Sequence, residues 1–112
     1  MSKSIITKFE NISSFSGEPA ECRHHCLFGR GIRDLAETDG LWIPLKNCEH
    51  NMSSKGTIYQ IHGNPAAEKL SKMLGQMAWE RQFIIDRYSQ PFDDIGQEAR
   101  EAFIQRYGKS YL

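Results

Sequence analysis

The sequence has no apolar run near the ~20 residues that a membrane-spanning helix needs. Its opening Met-Ser-Lys-Ser-Ile-Ile-Thr-Lys also lacks the long apolar centre of a secretion signal. Neither a membrane protein nor a secreted one is expected, and the cytoplasm is the expected compartment. Cysteine is scarce: three residues cannot all pair within one chain. That argues against a disulfide scaffold, and in a reducing compartment such thiols bind metal, do chemistry or fill a core. An excess of one charge is missing too. Fourteen Lys and Arg balance fourteen Asp and Glu, so the whole chain exerts no long-range pull on nucleic acid. Internal repeats are missing, and Gly29-Arg30-Gly31 lacks the further glycines of a phosphate-cradling loop.

What is present fits one globular domain. At 112 residues, with 39% hydrophobic and 25% charged, the chain is apolar enough to fold around one modest core. We expect an N-terminal arm over residues 1–20 and a single domain over 21–112. The arm should hold a short strand around Ser4 to Phe9, then a loop through Ser13 to Pro19. A strand is expected from Glu21 to Phe28, a helical turn from Ile32 to Glu37, and a second strand over Leu41 to Leu45. Pro44 lacks a backbone donor, which makes that second strand an edge or its end. Residues 46–58 read as a polar loop. Asn64-Pro65 is a helix start, since Asn can cap free N–H groups and Pro at the first position sacrifices no hydrogen bond. The helix should run to about Tyr88, before Pro91, burying Leu70, Met73, Leu74, Met77, Trp79, Phe83 and Ile84. A last helix should start near Asp93 or Asp94, bury Ile95, Ala99, Ala102, Phe103 and Tyr107, and stop at Gly108. The expected class is α+β: a short β-hairpin followed by two C-terminal helices. Their apolar faces are expected to be core, or a surface for oligomerisation.

Every cysteine (Cys22, Cys26, Cys48) and every histidine (His24, His25, His50, His62) lies between positions 22 and 62. On a strand, Cys22, His24 and Cys26 share one face and His25 points to the other. One imidazole of the pair could then hold a metal while its neighbour serves as a base, as a pKa of about 6.5 allows. Cys48-Glu49-His50 repeats the Cys-x-His spacing of Cys22 and His24. Two thiolates and two imidazoles would satisfy tetrahedral zinc, so Cys22, His24, Cys48 and His50 form one candidate ligand set. His62, just ahead of the Asn64 cap, could close a site formed by the hairpin.

The order Glu-Cys-x-His-His, a Gly-rich basic loop, a second apolar strand, Cys-x-His-Asn, then His-Gly-Asn before a helix resembles the small phage and prophage HNH nucleases of the ββα-metal fold. The segments Gln76-Met77-Ala78-Trp79-Glu80 and Arg100 to Leu112 also resemble this group, so the likeness spans roughly residues 20 to 112. It implies a ββα metal finger, a bacterial cytoplasmic setting, DNA as partner and a divalent metal as cofactor: zinc if structural, magnesium, manganese or nickel if catalytic. It further implies that His24 and His62 bind the metal, with His50 as a third ligand. His25 would be the general base, Asn51 the residue orienting it or its loop, and Arg30 and Arg33 contacts to neighbouring phosphates. Whether His50 or Asn51 serves the metal stays open. The chain departs from the family in carrying Cys26 where an apolar residue often follows the base, and in lacking paired Cys-x-x-Cys elements.

Two other functions are compatible with these residues. One is a noncatalytic zinc-stabilised module that binds a protein, such as a phage-encoded inhibitor of a host defence nuclease. The other is an enzyme with Cys26 or Cys22 as nucleophile beside a histidine, since both a base and positive charge are near in sequence.

Overall fold

A computed structural model of the chain describes residues 2–87 and 92–112. The fold is α+β: two short strands, β1 (Cys22–His25) and β2 (Trp42–Leu45), followed mostly by helix. The strands pair antiparallel, with Cys22 opposite Leu45, Arg23 opposite Pro44, His24 opposite Ile43 and His25 opposite Trp42. With only two strands both are edges, so Pro44 costs no central ladder bond.

The connection between the strands is helix α1 (Ile32–Asp39), longer than the turn expected from sequence. Gly40 ends it at φ 75°, in the left-handed region, and donates to the carbonyls of Ala36 and Glu37. After β2 the expected loop is formed only in part, over residues 51–56. Around it the chain makes a one-turn helix, α2 (Asn47–His50), and a single 3-10 turn at Thr57–Tyr59. Glu49 causes the first of these, because its carboxylate accepts from the Lys46 backbone N–H at 2.8 Å and from Ser13 Oγ at 2.6 Å. Helix α3 (Pro65–Asp86) starts as the sequence indicates, with Asn64 accepting from the Ala67 N–H and Pro65 at its first position. Helix α4 (Phe92–Tyr107) follows, and Gly108 closes it by donating to the Ile104 carbonyl at 2.7 Å. Tyr88, Pro91 and the side chain of Ile95 lie outside the described residues.

Two apolar clusters flank the hairpin. Leu27, Ala36, Leu41, Phe103 and Tyr107 form one, and Cys26, Ile43, Leu45 and Ile61 the other. The face α3 buries differs from the expected stripe: its buried residues are Ser71, Gly75 and Gln76, while Leu70, Leu74 and Met77 are exposed. Close approach explains the choice. A Cβ on Gly75 would meet Leu27 Cγ at 2.9 Å and Cys26 Cβ at 3.1 Å, so α3 packs on the end of β1 through a side with no bulk. The expected strand in the arm is not formed either. Residues 4 and 5 bind the core as single contacts, Ser4 Oγ donating to the Trp42 carbonyl and the Ile5 N–H to the Gly40 carbonyl. Among the described residues no helix is long and apolar enough to cross a membrane.

Candidate metal centre

The alternation of β1 sends His24 and His25 to opposite sides, as their adjacency requires. His24 is fully buried against α3, beside an apolar recess of about 260 Å³ lined by Ile43, Ile61 and Leu74. His50 ends α2. His62 reaches it because two backbone bonds clip the following segment to that helix: Ile61 N–H donates to the Glu49 carbonyl and His62 N–H to the His50 carbonyl, both at 3.0 Å. The three rings gather with centroids 4.6 to 5.2 Å apart. One nitrogen from each of His24, His50 and His62 lies within 4.8 Å of the other two. Metal–nitrogen bonds of ~2.1 Å would draw such a set inward by less than about an ångström.

Hydrogen bonding assigns the donor atom on His24. Ser71 Oγ donates its one proton to the Cys26 carbonyl at 2.9 Å, so at 2.6 Å from His24 Nε2 it accepts from the ring N–H. The lone pair of His24 is then on Nδ1, and Nδ1 is the one buried side-chain polar atom without a partner among the described residues. An unpartnered acceptor in a dry interior is costly. A metal ion would satisfy it, with the neighbouring imidazoles as two further ligands, so the residues fit the ion that the HNH resemblance implies. Burial, reinforced by His50, His62 and His25, lowers the His24 pKa from 6.5 to about 3. His50 is lowered too, by burial and then by His62, His25 and Arg33. Neutral imidazoles are the form that binds a cation. His62 Nδ1 faces Glu68 Oε2 at 3.4 Å, a loose contact that leaves Nε2 as the other ring nitrogen able to serve a metal.

His25 lies on the other side of the strand. Its Nε2 is 2.9 Å from Glu37 Oε1, and Arg23 reaches Glu37 Oε2 at 3.1 Å while stacking on Trp42 at 3.8 Å. The His25 hydrogen bond, with the Arg23 charge, holds the Glu37 carboxyl below its ordinary value. An ionised carboxylate can only accept, so His25 donates from Nε2, and in the neutral ring Nδ1 is the acceptor.

The structure therefore brings His24, His50 and His62 together and leaves the cysteines aside. Cys22 Sγ donates to the Leu45 carbonyl at 3.5 Å, and Cys48 is exposed. The set of Cys22, His24, Cys48 and His50 is not assembled because Cys48 and His50 lie on a helical turn, where residues two apart face different ways. Cys26 is buried, and that burial pushes its thiol up to about 12, while burial also raises Cys22. Neither is a poised nucleophile. Asn51 is exposed at the end of α2 and makes no side-chain hydrogen bond among the described residues. Arg30 and Arg33 are exposed at the start of α1. Glu37, Ser71 and Glu68 were not visible as partners in the sequence. Only Glu68 carried a cue, standing in the first turn after the Asn64 cap.

No protein-family model matches the chain, and neither does a curated protein or a solved structure.

Proposed function

We propose that the protein is a metal-dependent nuclease hydrolysing nucleic-acid phosphodiesters, as its resemblance to HNH nucleases implies. The observation that supports this most directly is the division of labour between adjacent residues of β1. His24 offers a buried lone pair to a three-histidine cluster, while His25 is oriented by a carboxylate. His24, His50 and His62 would hold a divalent ion, whether zinc, magnesium, manganese or nickel. When bound, such an ion polarises the scissile phosphate and stabilises negative charge on the leaving oxygen. His25 takes a proton from the attacking water at Nδ1. Glu37 fixes the ring and stabilises the imidazolium that forms, the orienting role that the resemblance gives to Asn51. The water oxygen bonds to phosphorus as the bond to the leaving strand breaks. Arg30 and Arg33 hold neighbouring phosphates.

The test is plasmid cleavage by metal-loaded protein. His25→Ala should retain the metal and lose about 10²- to 10⁴-fold in rate, the usual contribution of a general base. A folded, metal-loaded wild type that cuts neither DNA nor RNA of any topology would sink the proposal.

A second reading is favoured by the origin of the ligands in three separate segments: β1, α2 and the loop before α3. An ion there would tie those segments together, as in a noncatalytic zinc-stabilised module that binds a protein partner, for example an inhibitor of a defence nuclease. Unfolding on chelation together with no cleavage would select it.

A further inference from the structure

The C-terminal residues after α4 fold back along the first turns of α3, and their position is set by one buried side chain. Gln76, wholly buried, accepts from the Tyr111 N–H and donates to Ser110 Oγ at 2.9 Å. The tail and the helix enclose an open groove of about 660 Å³. Its charged side chains are one-sided: Lys69, Lys72 and Lys109 against the single side-chain carboxylate of Glu68, which is already engaged with His62 and the Gly63 N–H. None of the three lysines has a carboxylate within ion-pair distance among the described residues. In a chain of zero net charge, three uncompensated ammonium groups in one groove are a local concentration of positive potential.

The groove adjoins the histidine cluster through Glu68 and Phe28. Lys72 Nζ sits 4.7 Å over the Phe28 ring, and Phe28 packs on His62 at 4.8 Å and on His24 at 5.8 Å. Lys72 and Lys109 both lie over Tyr111, at 5.6 and 5.3 Å. The aromatic rings hold the ammonium groups in place, which lowers the entropy each would lose on meeting an anion.

We propose that this groove binds the sugar-phosphate backbone of a nucleic-acid strand and leads it to the histidine cluster, with Lys69, Lys72 and Lys109 as phosphate contacts. The inference rests on the nuclease reading for the identity of the polyanion. It adds phosphate contacts on the α3 and tail side of the cluster to those of Arg30 and Arg33 at the start of α1. A groove of this kind reads backbone charge and not sequence.

The experiment is fluorescence anisotropy of a labelled phosphorothioate DNA oligonucleotide, single-stranded and duplex, over a series of salt concentrations with metal-loaded protein, the thioate linkages suppressing cleavage. Wild type is compared with Lys69→Ala, Lys72→Ala and Lys109→Ala, and with Lys55→Ala on the loop after α2 as a control. Circular dichroism checks that each variant is folded. Each groove variant should weaken binding of every sequence alike and flatten the log–log salt slope by about 1, while Lys55→Ala leaves the slope unchanged. The inference is overturned if wild type binds no DNA at low salt, if the groove variants behave like Lys55→Ala, or if only thermal stability falls. Plasmid cleavage with metal is run in parallel: groove-dependent binding without cleavage supports the groove and counts against the nuclease reading alone.

Discussion

Ser71 decides what His24 can do. Its hydroxyl proton is committed to the Cys26 carbonyl, so the ring proton goes to Nε2 and the lone pair to Nδ1. Ser71→Ala frees the tautomer, and metal affinity should fall about 10- to 100-fold, the usual loss when a residue orienting a ligand is removed. Competition with a chromophoric chelator measures it, and unchanged affinity would mean that Ser71 only fills space. The lowered His24 pKa has a second consequence. An imidazole with a folded pKa of about 3 and an ordinary value of 6.5 takes up its proton first in the unfolded chain. Metal-free protein is therefore most stable above about pH 6.5 and loses stability as pH falls from there toward 3. Urea midpoints in EDTA that stay flat between about pH 6.5 and 5 would contradict this. The histidines were legible in the sequence because they crowd into one segment. Their orienting partners were not, because Ser71 and Glu37 stand 47 and 12 residues from the rings they bind.

At the scale of elements, α3 carries the site on its buried side. Asn64→Ala removes the hydrogen bond to Ala67 and should cost about 1 kcal/mol, read from denaturant unfolding. Gly75→Ala would normally favour a helix, but here its methyl meets Leu27 and Cys26, and a loss of about 1–3 kcal/mol is expected. A stabilised Gly75→Ala variant would show that the helix and β1 separate easily. The start of α3 was legible from Asn64-Pro65, a purely local signal. Its buried face was not, because the apolar stripe through Leu70, Leu74 and Met77 outweighs the small and polar Ser71, Gly75 and Gln76 in any periodicity argument. Their burial is set by tertiary approach and by bonds to Cys26, Ser110 and Tyr111. α2 was hidden for a related reason: its Glu49 cap depends on Ser13 in the distant arm.

The whole molecule is joined at Asp39. Its carboxylate accepts from Trp79 on α3 at 3.0 Å, from Arg106 at 2.6 and 2.7 Å and from Tyr107 on α4 at 2.6 Å. Asp39→Ala leaves those donors without an acceptor and should lower unfolding free energy by about 2–3 kcal/mol, with a matching fall in Tm. A loss under about half a kcal/mol would mean that apolar contact alone seats α4. That junction was illegible in the sequence because Asp39 and its donors stand 40, 67 and 68 residues apart. The central claim is that three histidines from separate segments, and no cysteine, hold one ion. Elemental analysis of purified wild type, His24→Ala, His50→Ala, His62→Ala, Cys22→Ser and Cys48→Ser tests it directly. The account predicts one metal per chain in wild type and in both cysteine variants, and its loss or strong depletion in each histidine variant. Metal that persists without the histidines, or disappears with either cysteine, would contradict it.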